Sequence, residues 1–334
     1  MEWGIIMNII VTGGAGFIGS NFVRHMLHTY PTYKIINLDL LTYAGNKDSL
    51  ADVMDNPNHI FVEGNITDRQ LLDRLIQEHN VDGIINFAAE SHVDRSILNP
   101  EVFVETNIQG TLALLDAARK HNLKKYVQVS TDEVYGSLGA EGYFTEDTPL
   151  APNSPYSASK AGADMLVRSY FETYGMDVNI TRCSNNYGPF HFPEKLIPLM
   201  ITNAMDQKEL PIYGDGENIR DWLHVTDHCA AIDLVFHNGK SGEVYNVGGH
   251  NERTNNQIVD LIVERLNVSS DLVKYVEDRL GHDRRYAIDP AKLETELGWK
   301  PKYTFDTGII ETIDWYLANE AWWRPLKEKA TLVK

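Results

Sequence analysis

From residue 5 to about 185 the chain alternates short runs of Ile and Val with longer stretches whose apolar residues recur at helical spacing. A run that is apolar throughout suits a strand buried on both faces, whereas recurrence every three or four residues suits a helix with one buried stripe. On this pattern Ile5–Val11, Lys34–Asp39, His59–Glu63, Gly83–Phe87, Lys125–Ser130 and Asp177–Thr181 are expected as strands, with helices over 17–29, 67–79, 101–121 and 155–174. Such alternation builds βαβ units, so the expected fold class is α/β: a Rossmann-like, doubly wound parallel sheet.

After Asn186 the texture changes. Gly188-Pro189, Phe192-Pro193, Gly214-Asp215-Gly216 and Gly248-Gly249 separate shorter helical pieces near 194–205, 254–266 and 306–319. Residues 1–185 are therefore expected to form a dinucleotide-binding domain, and residues 186–334 a smaller, mixed substrate-binding region. The strand-like run Gly242–Val247 is expected to return to the main sheet, so the two regions interleave.

At 334 residues and 43% hydrophobic content the chain can bury a large core. A formal net charge of -17 argues against a surface that tracks nucleic acid or anionic lipid, and no apolar run approaches the roughly 20 residues that span a bilayer. Neither partner is expected, and any bound phosphate must meet a local basic site. Cys183 and Cys229 cannot form a disulfide framework and lack metal-ligand spacing, so no metal is expected and the cytoplasm fits best. The opening MEWGIIMNIIVTGG carries an acidic residue where a secretory signal would be basic, so no targeting segment is expected; Met7 is an alternative start.

The run Thr12-Gly13-Gly14-Ala15-Gly16-Phe17-Ile18-Gly19 follows a strand and opens a helix. Gly13 permits the tight turn, Gly16 lets backbone approach a pyrophosphate, and Gly19 allows close helix–sheet packing. The helix N-terminus then faces the anion. Asp39 ends the second strand twenty residues past Gly19, where a carboxylate would bond the adenosine ribose and repel a 2′-phosphate, favouring NAD over NADP. Asn65 and Ile66 follow the third strand and could bracket the adenine, or Asn65 could be a plain turn residue. In Phe87-Ala88-Ala89-Glu90-Ser91-His92 the small residues would let the cofactor lie across the strand ends, and His92 reads as a packed or solvent-facing histidine.

Tyr156 and Lys160 lie four residues apart in a stretch whose Pro155 sits where a helix could begin, which places both on one face. An adjacent ammonium and a positive nicotinamide both favour phenolate, so Tyr156 could take a proton from a sugar hydroxyl as hydride leaves the same carbon. The fifth strand runs into Ser130-Thr131-Asp132-Glu133-Val134-Tyr135-Gly136 at the carboxyl edge of the sheet. Ser130 or Thr131 could bond the reacting hydroxyl, and two adjacent carboxylates there would raise at least one pKa, as a paired acid and base require.

Through TGGAGFIG, Asp39 and the Tyr156/Lys160 pair, the sequence resembles the extended short-chain dehydrogenase/reductase family over nearly its whole length. The segments Ser130–Gly136, Asn185-Asn186-Tyr187-Gly188-Pro189 and His191–Pro198 are similar to its sugar-nucleotide 4,6-dehydratases. That resemblance implies NAD as a retained cofactor, dTDP-glucose as substrate and a 4-keto-6-deoxy product for a deoxysugar such as rhamnose. It implies that Thr131 and Tyr156 handle the sugar 4-hydroxyl, with Asp132 as general acid and Glu133 as general base. Around the cofactor it implies Gly13, Gly16, Phe17, Ile18, Gly19, Asp39, Asn65, Ile66, Ala88, Ala89, Ser91, Thr106, Ser130, Tyr156, Lys160 and Asn185. Around the substrate it implies Ser91, Thr131, Asn186, Lys195, Leu196, Pro211, Tyr213, Arg220 and Asn255, and, from the cluster Arg279–Tyr286, His282, Asp283 and Tyr286.

Arg220 suits bidentate phosphate binding, or else pairs with Asp221 at the surface. Asn65 stands where the family commonly has Asp, and Leu280 where it often has Pro. Members are usually dimers, here through 101–121 and 155–174, although both helices could equally be packed in the core. Competing readings are a UDP-sugar 4-epimerase, a decarboxylase, a UDP- or GDP-sugar dehydratase, and a non-catalytic NAD sensor. The Asp132–Glu133 pair opposes an epimerase, and a sensor has no need of the pair together with Tyr156 and Lys160.

Overall fold

A computed structural model describes residues 6–278 and 280–332, so Ile5 and Arg279 of the expected elements fall outside the described residues. The strands are β1 (Asn8–Thr12), β2 (Lys34–Asp39), β3 (His59–Glu63), β4 (Gly83–Asn86), β5 (Lys125–Thr131), β6 (Val178–Cys183), β7 (Asn185–Tyr187), β8 (Leu210–Tyr213), β9 (Ile219–His224), β10 (Val244–Val247), β11 (Glu252–Thr254) and β12 (Val273–Val276). Seven form one parallel sheet in the order β10-β6-β5-β4-β1-β2-β3. The winding direction reverses between β1 and β4, which opens a crevice beyond their carboxyl ends.

The pleat sends alternate residues to opposite faces, and helices cover both. Ile10 and Ile84 pack with Leu72, Leu75, Leu114 and Val167 on one side. Ile9, Val11 and Ile85 pack with Phe22, Met26, Ile232 and Phe236 on the other. The helices are α1 (Phe17–Thr29), α2 (Arg69–His79), α3 (Val93–Leu98), α4 (Pro100–Phe103), α5 (Thr111–Lys120), α6 (Pro155–Tyr174), α7 (Leu196–Met205), α8 (Val225–Asn238), α9 (Asn255–Leu266), α10 (Ala291–Leu297), α11 (Phe305–Ala318) and α12 (Glu320–Leu332).

The elements α3, α10, α12, β7, β8, β9, β11 and β12 lie outside those expected from the sequence pattern, and two further departures shape the main sheet and its cleft. The helix expected over 101–121 is present but not uniform: between α4 and α5, Val104–Gly110 winds as a π-helix. The irregular turn lets the Asn107 side chain leave the helix, accept from Glu90 N at 2.9 Å and donate to Ser159 Oγ at 2.8 Å. The second departure is α8, for which the apolar pattern suggested no element. His224 caps it by accepting from Thr226 N, and α8 lies beside α1 in the second sheet face before β10 joins the sheet edge. Residues 225–247 therefore belong to the first layer although they follow the first substrate-side segment.

The remaining strands form two small sheets, β11-β9-β7 and β12-β8. With α7, α9, α11 and α12 they enclose a separate core of Ile197, Met200, Ile212, Trp222, Ile258, Ile309, Ile313 and Trp323.

Candidate active site

Between the parallel sheet and the second core lies a cleft of about 1180 Å³. It is lined by every one of the site residues singled out from the sequence, from Gly13 to Tyr286.

At its deep end the glycine loop forms a cradle. Gly13 has φ +68°, and a Cβ there would lie 2.7 Å from Ala88 N. A Cβ on Gly19 would collide with the carbonyl of Gly13, so α1 comes closer to the turn than any side chain permits. Gly16 is the N-cap residue of α1 and has no capping side chain, which leaves its first N–H groups facing the cleft beside Phe17 and Ile18. Asp39 is buried; its Oδ2 accepts from Ala15 N at 2.9 Å and its Oδ1 from Leu41 N at 2.7 Å. Burial pushes its carboxyl upward against these two bonds. Asn65 Oδ1 accepts from Thr67 N at 2.9 Å, so its oxygen serves the turn while the residue still lines the cleft with Ile66, Ala88 and Ala89. Thr106 reaches the cleft from the π-helix. A bare anion-binding turn, a carboxylate and small strand-end residues fit an adenine dinucleotide.

Where β5 ends, Thr131 caps a 3-10 turn, Asp132–Tyr135, by accepting from Glu133 N at 3.3 Å, and it donates to Asp132 Oδ1 at 3.3 Å. Asp132 is 1% exposed, and among the described residues its Oδ2 has no hydrogen-bond partner. Burial, then Glu133 and Asp221, push its carboxyl well above the usual carboxylate range, opposed by Arg220. Such a group holds its proton and can give it away.

Ser154 caps α6 in a reciprocal bond with Ser157, with Pro155 at its start. The helix points Tyr156 and Lys160 at the end of β5, where the phenol and the Thr131 hydroxyl line the same cleft. Lys160 Nζ donates to Val129 O at 2.7 Å. The expected lowering of the phenol by its lysine is not what dominates here. Burial pushes Tyr156 well up and Lys160 down, because both charged forms lose solvent.

The second core supplies the opposite wall. Arg220 is 8% exposed and does not lie in a surface pair: Nη2 donates to Asp283 O and Nη1 to Ile219 O, both at 2.8 Å, with the guanidinium 4.2 Å over the Tyr286 ring. Asp221, on the next position of β9, accepts instead from Gly249 N and Asn251 N. Asp283 accepts from Tyr286 OH at 2.5 Å and Asn153 Nδ2 at 2.8 Å, and His282 bonds Asp278 at 2.6 Å. Asn186 donates to Ser184 O and bonds His228 at 2.9 Å, and Lys195 donates to Ser91 O at 3.2 Å. Leu196, Pro211, Tyr213, Asn255, Asn185 and Ser130 complete the lining.

His92 is better connected than its sequence context suggested: it caps α3 and lies 3.7 Å from Glu194. Tyr43, Glu90, Glu194, Cys183 and His191 also line the cleft, and the sequence reading gave none of them a role there. Glu194 sits next to Lys195 in a segment already singled out, so its neighbour was a usable signal; Tyr43, in a loop after β2, offered none. Among the described residues no group of three or more His, Cys, Asp and Glu side chains could hold a metal ion, and no helix is long and apolar enough to cross a membrane.

Residues 10–312 match the family model described as GDP-mannose 4,6 dehydratase. A curated relative, dTDP-glucose 4,6-dehydratase of Xanthomonas campestris, is 54% identical over 331 residues, covering 94% of each chain. The crystal structure of the enzyme of that name from Bacillus anthracis in complex with NAD is 57% identical, with a TM-score of 0.91 over 96% of this chain and 99% of that one. Its counterpart from Streptomyces venezuelae, solved with NAD and a second ligand, is 52% identical, with a TM-score of 0.93 over 96% and 100%.

Proposed function

The chain belongs to the dTDP-glucose 4,6-dehydratases of the extended short-chain dehydrogenase/reductase family, and on that premise we propose how its residues divide the reaction. The enzyme is an NAD-dependent hydro-lyase that converts dTDP-glucose to dTDP-4-keto-6-deoxyglucose. The glycine cradle, Asp39, Asn65, Ile66, Ala88, Ala89, Ser91, Thr106, Ser130, Lys160 and Asn185 would hold the cofactor. Held there, NAD would supply the hydride acceptor for sugar C4 and the donor for C6, and its positive ring would favour the phenolate that burial opposes.

Tyr156, with Thr131 in the same cleft, takes the proton of the 4-hydroxyl. The 4-ketone acidifies the C5 proton, which Glu133 removes while Asp132 gives its proton to the departing 6-hydroxyl, and water leaves. C5 then regains a proton. Arg220 and the Asp283–Tyr286 wall bind the diphosphate side of the substrate, with Asn186, Lys195, Leu196, Pro211, Tyr213, Asn255 and His282 around its remainder. The observation that carries this assignment is Asp132: a buried, upward-shifted carboxyl next to a second carboxylate, facing the phenol across one cleft. Turnover of dTDP-glucose in deuterated solvent tests it. The expected product carries deuterium at C5 and leaves no net NADH; an unlabelled product, or stoichiometric NADH, would refute the roles given to Glu133 and the retained cofactor.

We further propose the cytoplasm as its location, a reducing compartment that suits two buried free cysteines. We also propose a homodimer through the helices over 101–121 and 155–174, where Val104 and Met165 are exposed. Sedimentation checks the dimer.

A further inference from the structure

Below the cleft floor lies a chain of buried polar side chains that the reaction as described does not use. Arg182, near the carboxyl end of β6, donates through Nε to Asp164 Oδ2 at 2.9 Å, with side chains 4% and 0% exposed. Asp164 lies one helical turn beyond Lys160 on α6 and two beyond Tyr156. The Arg182 Nη1 donates to Tyr135 OH at 3.0 Å, and that hydroxyl donates to Asn246 Oδ1 at 2.7 Å. Tyr135 closes the 3-10 turn that begins with Asp132 and Glu133, and its ring stacks on Phe144 at 5.0 Å. None of these side chains lines the cleft.

A buried ion pair gains little net stability, because desolvating two charges offsets their attraction. What this one supplies is a fixed distance. One end of the chain is on the helix of the oxidation step and the other on the turn of the elimination step. The sugar stays bound through both, so phenol and acid–base pair must keep one separation, and a displacement of about 1 Å can cost on the order of 100-fold.

We propose that Tyr135 is a positioning residue that, through Arg182 and Asp164, holds the Asp132–Glu133 turn in register with the Tyr156–Lys160 helix. This rests on the acid and base roles given to Asp132 and Glu133. Tyr135→Phe keeps the ring stack and removes the hydroxyl. In a single turnover with dTDP-glucose, C4 oxidation, read as absorbance of enzyme-bound reduced nicotinamide, should proceed at nearly the wild-type rate. Loss of the C5 proton should slow about 10- to 100-fold, so that reduced nicotinamide accumulates. Glu133→Gln, run in parallel, should accumulate it too; if it does not, the acid–base reading itself fails, whatever Tyr135 does. If Glu133→Gln accumulates it and a folded, NAD-loaded Tyr135→Phe slows both steps equally or neither, the positioning role is overturned. Should Tyr135→Phe not fold, Asn246→Ala withdraws the acceptor from the same hydroxyl and leaves the Arg182–Asp164 pair intact. It should show the same imbalance, smaller in size, and balanced rates would overturn the proposal.

Discussion

The carboxylate of Asp39 accepts a hydrogen bond from Ala15 N at 2.9 Å, so the acid at the end of β2 braces the glycine loop of β1 besides facing the cleft. Two roles rest on one side chain. Asp39→Ala should therefore weaken NAD binding at least 10-fold and also cost the apo protein roughly 1.5–3 kcal/mol, the usual range for a hydrogen bond to a charged group. Asp39→Arg should fail to recruit NADP, because it removes the brace together with the repulsion. Calorimetric titration and denaturant unfolding measure the two effects.

Gly19→Ala should abolish NAD binding and destabilise the fold, since the new methyl meets the Gly13 carbonyl, a backbone atom that cannot move aside. Gly139→Ala, where a Cβ meets nothing within 4 Å, should be close to neutral. Melting temperatures with and without NAD separate them.

Asp132→Asn should lower turnover by about 100- to 10,000-fold, the usual contribution of a general acid, with little loss of stability, because burial already disfavours the charge that is removed. The group works protonated, so its contribution is present below its folded pKa and lost as pH rises through it. An upward shift moves that loss toward alkaline pH, and a pH profile of kcat shows its position.

Arg220→Lys should raise KM for dTDP-glucose about 10-fold or more while changing kcat less. An ammonium cannot reproduce the fork that bonds two carbonyls and lies over Tyr286. Equal losses in kcat would place Arg220 in the chemical step instead.

Burial pushes His59 down and three further histidines to lower values: His191 and His228 to about 3 and His224 to about 4. Each binds its proton more readily unfolded, near pH 6.5, so the unfolded chain takes up protons that the folded chain refuses. The stability they contribute is complete above about pH 6.5 and is lost as pH falls toward 4, at up to about 4 kcal/mol per unit where all three count. His237, raised by Asp233 against its own burial, opposes part of this slope. Denaturant midpoints between pH 7 and 5 check it.

Much of the architecture was legible because its signals are local. Ile and Val runs mark strands buried on both faces; Pro155 marks the start of α6; and a Gly13 that must turn at φ +68° before a helix marks a phosphate cradle. Tyr156 and Lys160 share a face because four residues are about one helical turn. These depend on neighbours within a few positions.

What tertiary structure decided are relations between distant residues. The π-turn at Val104–Gly110 exists because Asn107 finds Glu90 and Ser159, neither of them near in the chain. The direction of the Tyr156 and Lys160 shifts depends on how completely packing removes water, which a spacing of four does not reveal. Arg220 forsakes the adjacent Asp221 for carbonyls and a ring because successive residues of β9 point to opposite faces. Residue types and periodicity named the chemical groups; only the fold set the distances, desolvation and partners that determine what each group does.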